Sequence, residues 1–73
     1  MDRTDIIRAI ESEAAASGLK PTTICQYAIK NRHFYGNLVS GLDYRVGTAH
    51  RIMIWIEAAR ARRAALPTNE VAA

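Results

Sequence analysis

The chain has 73 residues, a net charge of +3, 49% hydrophobic residues and a single cysteine. A chain this short makes one domain that buries only about 60% of its unfolded surface, which leaves no room for a large enclosed active site. One cysteine excludes an internal disulfide and suits a reducing cytoplasm, and no apolar run approaches the roughly 20 residues of a membrane-spanning helix.

Met1 to Asp5 lacks the basic-then-apolar order of a signal peptide. The first helix is expected from Asp5 to Ser17, capped by Asp2 or Thr4. Ile6, Ile7, Ile10 and Ala14 recur at helical spacing as its apolar face, and Arg3, Arg8, Glu11 and Glu13 fall off that face. Gly18 stops it in the left-handed conformation, with Leu19 folding back on the last turn.

Lys20-Pro21-Thr22-Thr23 opens a second helix, because proline tolerates the first turn where its missing N–H has no partner. Ile24, Tyr27 and Ala28 are expected to face inward, with Ile29 ending the helix. Cys25, between Ile24 and Tyr27, reads as a small buried apolar residue rather than a nucleophile. Thr22, Thr23 and Gln26 point outward. Either threonine would also serve as an ordinary N-cap.

Asn31 suits the cap of a third helix, about 32–40, in which Phe34 and Leu38 pack inward and Tyr35 lies at the edge. Arg32, His33, Gly36, Asn37 and Ser40 are left for the opposite side, and Gly41 is a natural stop. A connection holding Tyr44 and Arg45 follows. Thr48 then caps a fourth helix to about Ala65, with Ala49, Ile52, Ile56 and Ala59 on one face. Met53 and Ile54 widen that face, and Trp55 lies beyond its edge. So broad an apolar band suits either a simple core role or a homodimer contact through this helix. Arg60, Arg62 and Arg63 sit where cations complement the helix dipole. Pro67 ends the helix, and 66–73 is expected to be a flexible tail beyond a 1–65 domain.

Charge is unevenly spread. Across residues 20–51, Lys20, Lys30, Arg32, Arg45 and Arg51 stand against Asp43 alone, whereas in 1–19 four acids outnumber Arg3 and Arg8. The basic excess therefore falls on the central stretch, where phosphates could be met; that stretch holds two short helices joined by a tight turn, the requirement for a helix-turn-helix whose second helix enters the DNA major groove.

This order resembles the lambda-repressor-like (Cro/C1, XRE-type) helix-turn-helix proteins, and more closely a group of small alphaproteobacterial proteins of that kind. The residues that carry the resemblance are Pro21, Thr22, Asn31, Phe34, Leu38, Gly41 and Thr48, and it spans about residues 5 to 60. It implies a compact all-α four-helix domain and a cytoplasmic regulator that binds double-stranded DNA. Such proteins are often arginine-rich on the third helix and after its glycine, where this chain has Gly36, Val39, Ser40 and Leu42, and their Asp-Pro turn is Asn31-Arg32 here. The fold-determining positions match better than the contact positions.

For DNA, the expected base-reading residues are Arg32, His33, Asn37 and Ser40, with Gly36 allowing close backbone approach. Thr22, Thr23, Gln26, Lys30, Tyr44 and Arg45 are expected on the phosphate backbone. The alternative is an interaction module of the same fold that modulates a transcription factor or polymerase through Trp55 without touching DNA. Catalysis is not expected. His33 and His50 lie on different helices, the carboxylates show no metal-ligand spacing, and no glycine loop cradles phosphate. The same residues suggest no cofactor, no metal and no small-molecule substrate.

Overall fold

The computed structural model describes residues 2–65. It is all-α, with α1 at Arg3–Ser17, α2 at Pro21–Ile29, α3 at His33–Ser40 and α4 at Val46–Ala65. The expected tail at 66–73 and the stop at Pro67 lie outside the described residues.

Each helix has a local reason to begin and end. Asp2 caps α1, its Oδ1 accepting from the Asp5 N–H at 3.0 Å while Asp5 returns the bond to the Asp2 N–H. This reciprocal box satisfies two of the otherwise unpaired amides at a helix start. Gly18, at φ 75°, ends α1 and passes its N–H to the Ala14 carbonyl. Pro21 occupies the first turn of α2, and neither Thr22 nor Thr23 caps that helix, since Lys20 holds the cap position without a side-chain bond.

At the end of α2, Lys30 adopts the left-handed conformation at φ 58°, where glycine is usual. A side chain there costs about 1–2 kcal/mol, partly offset by the greater chain entropy that glycine loses on folding. Lys30→Gly is therefore expected to stabilise the domain by up to about 1 kcal/mol and the β-branched Lys30→Val to destabilise it by a similar amount. Urea unfolding midpoints measure both. A destabilised glycine variant would contradict the assignment of strain to this position.

The core is drawn from all four helices: Ile6, Ile10 and Ala14; Ile24 and Cys25; Phe34 and Leu38; Ala49, Ile52 and Ile56. α1 packs against the other three helices, and α2 packs against α3 and α4. α3 leans on α1 and α2, while its backbone and that of α4 stay apart among the described residues.

Four expectations need correction. Glu13 is buried at 1% exposure, not solvated. It lies seven residues after Ile6 and three after Ile10, so helical geometry puts it on the apolar stripe. Burial is tolerated because Arg63 of α4 meets both of its carboxylate oxygens, one Nη2–Oε1 bond measuring 2.7 Å. Tyr27 is 57% exposed rather than inward. Buried Cys25 rotates the inner face of α2 away from it, and Tyr27 tilts against Trp55 with ring centroids 6.4 Å apart. Ile54 is exposed and does not widen the core face of α4. Finally, α4 begins at Val46, so Thr48 lies inside its first turn; the Ala49 N–H reaches the Arg45 carbonyl at 3.1 Å and starts the helix two residues early.

Candidate nucleic-acid interface

The outward side of α2 and α3 is built from two anchors and a turn. Phe34 and Leu38 are buried, and their spacing of four residues fixes which side of α3 is left outside. Arg32, His33, Gly36, Asn37 and Ser40 are all exposed. The start of this helix is set by Asn31, whose Oδ1 accepts from the His33 N–H at 3.1 Å. The cap position itself belongs to Arg32, which makes no side-chain cap bond, so Asn31 supports the start of α3 from one residue further out than expected.

The far end of α3 closes on Gly41 at φ 89°. The Leu42 N–H reaches back to the Asn37 carbonyl at 2.9 Å, and the Gly41 N–H to the Leu38 carbonyl at 3.1 Å. These satisfy carbonyls that a helix end otherwise leaves bare.

Two open clefts run beside this helix. One, of about 270 Å³, is lined by Lys20, Thr22, Thr23, Gln26 and Arg32. It joins the opening turn of α2 to the residue before α3 and holds two cations and no carboxylate. The other, of about 530 Å³, is lined by Asn31, Phe34, Asn37, Asp43, Tyr44, Arg45 and Thr48. Asp43 lowers its appeal for an anion. The structure thus gathers Thr22, Thr23, Gln26 and Arg32 in one place and Asn37, Tyr44 and Arg45 in another. Lys30, His33, Gly36 and Ser40 are exposed but line neither cleft.

Tyr44 is half-buried, and its ring is partly committed to packing. It meets Phe34 edge-on with centroids 6.3 Å apart, and the Arg3 guanidinium carbon lies 5.3 Å from its centroid. Lys20, Asn31 and Thr48 line the clefts without having been expected there. Lys20 was legible as a cation beside the helix-opening proline. Thr48 was hidden by the misplaced start of α4.

No family model, curated protein or solved structure matches this chain.

Among the described residues, no group of three or more histidine, cysteine or carboxylate side chains gathers as metal ligands. Burial pushes the Cys25 thiol up to about 11, so it stays protonated at neutral pH and is a poor nucleophile. Glu11, accepting the Tyr35 hydroxyl, raises the tyrosine above its ordinary value and holds its proton in place. No described helix is long and apolar enough to cross a membrane.

Elsewhere, an apolar groove of about 620 Å³ lies between the end of α1, α2 and the distal half of α4. Leu19, Tyr27, Trp55 and Ala59 form its walls, and Arg62 stands at its edge beside the Glu13–Arg63 pair.

Proposed function

We propose that this protein is a sequence-specific DNA-binding regulator of the lambda-repressor-like helix-turn-helix type, with α3 placed in the major groove. One observation carries the reading. From Lys20 to Leu42 there is no acidic residue, and every candidate base-reading side chain on α3 stands outside while Phe34 and Leu38 anchor the helix from behind.

Arg32 suits a guanine edge or a phosphate, and Asn37 suits adenine through its paired donor and acceptor. Lys30, Arg45 and the cleft around Thr22, Thr23 and Gln26 would follow the backbone, where sequence is not read but register is set. So few cations give modest affinity per domain. A dimer reading two half-sites about 34 Å apart answers that weakness. Exposed Ile54 supports α4 as the dimer contact.

Selection from random duplex DNA, followed by mobility-shift titration at two salt concentrations, tests the reading. Asn37→Ala is expected to cost about 1–3 kcal/mol on the selected duplex and nearly nothing on a scrambled one. Lys30→Gly should weaken both duplexes alike and lower the salt dependence. A wild-type chain that retards no duplex at low salt would end the proposal.

The groove at Tyr27 and Trp55 favours a second reading, an interaction module that meets a transcription factor or polymerase without DNA. Its signature is partner capture that needs Trp55 and ignores Arg32.

A further inference from the structure

We infer that Arg3, at the start of α1, is a positioning residue that sets sequence discrimination by fixing the distal end of α3 and the connection behind it. The inference rests on the DNA-binding reading above.

α3 is eight residues long and carries no basic residue in its last turn. A helix this short is not stable by itself and takes its orientation from tertiary contacts. Among the described residues, its backbone approaches those of α1 and α2 but not that of α4. At its far end the Arg3 guanidinium fills what is missing. Nη1 donates to the Leu38 carbonyl at 3.1 Å and to the Leu42 carbonyl at 2.6 Å. One group therefore ties a carbonyl inside α3 to a carbonyl beyond Gly41, bridging the left-handed residue where the chain leaves the helix.

The guanidinium also covers the Tyr44 ring, which sits edge-on to Phe34. Arg3 thus touches both partners that decide where Asn37 and Arg45 sit. Asn37 is one position before Leu38 and receives the Leu42 N–H. Arg45 follows Tyr44 directly. A cation at this place also complements the negative end of the α3 dipole. Both carbonyl bonds leave the same nitrogen, and the cover over the Tyr44 ring is what the planar guanidinium adds to a point charge.

Arg3 is basic, so direct contact with a phosphate is the competing role, and the two make opposite predictions. For a positioning residue, Arg3→Gln loses about tenfold in affinity for the selected duplex, in line with charge-assisted bonds to backbone, and much less on scrambled DNA. For a phosphate contact, Arg3→Lys is close to wild type and Arg3→Gln weakens all duplexes equally. In the free protein, amide exchange at Gly41 and Leu42 should quicken in Arg3→Gln while amides in the middle of α1 keep their protection.

Wild-type levels of discrimination in Arg3→Gln, or equal losses on selected and scrambled duplexes, would overturn the inference and leave the DNA-binding reading standing. Failure of the wild-type chain to bind any duplex removes both. Unchanged exchange at Gly41 and Leu42 refutes the clamp without reference to DNA.

Discussion

Leu38→Ala is expected to cost about 3 kcal/mol, a large share of what holds a domain of this size together. Leu38 is fully buried and joins α3 to the residues of α1, α2 and α4 in the core. Truncation removes apolar contacts and leaves a cavity that so short a helix cannot easily close. Total stability for a domain this long is on the order of 3–10 kcal/mol, so the variant should be partly unfolded at 37 °C. Far-UV circular dichroism against urea measures the loss. Val39→Ala, one residue along and 57% exposed, is the control and should stay within about 0.5 kcal/mol of wild type. Equal effects at the two positions would mean that α3 is not seated as described.

The second large effect concerns Glu13 and Arg63. The guanidinium holds the Glu13 carboxyl below its ordinary value of 4.5, against the upward push of burial and with smaller help from Arg60 and Arg62. A carboxylate depressed by folding contributes stability that is complete above its unfolded value and is lost as pH falls through the folded one. The unfolding midpoint should accordingly hold near neutral pH and drop as the pH is taken below 4.5. Glu13→Gln should flatten that drop. Arg63→Ala should be far more damaging at neutral pH than Arg60→Ala or Arg62→Ala, because it strands a buried charge. Replacing both partners by leucine should recover much of the loss, since a buried ion pair exchanged for packed apolar groups is often neutral. A midpoint in Arg63→Ala equal to that of Arg62→Ala would refute the role given to the pair.

How much of this was legible in the chain depends on whether the cause was local. The cap at Asp2, the stops at Gly18 and Gly41, and the buried sets on α3 and α4 follow from spacing and from backbone preferences of single residues. The outward placement of Arg32, His33 and Asn37 follows in turn from Phe34 and Leu38. What escaped depends on partners remote in sequence. Arg3 meets Leu38 and Leu42 across 35 and 39 residues, and Glu13 meets Arg63 across 50. No window of local pattern contains either pair. Glu13 had a local signal in its position on the stripe of Ile6 and Ile10, overridden by the habit of assigning charge to solvent. Tyr27 erred the other way, its aromatic character outweighing its angular position beside Cys25.

The support of α3 has a consequence for descent. Its two ends are held by Asn31 and Arg3, and its rear by Phe34 and Leu38, so none of the outward positions carries the scaffold. At Gly36 a methyl group would meet nothing within 4 Å. Such a helix can be rewritten on its exposed side, one codon at a time, without dismantling what lies beneath. Divergence in target preference would then accumulate faster than divergence in architecture.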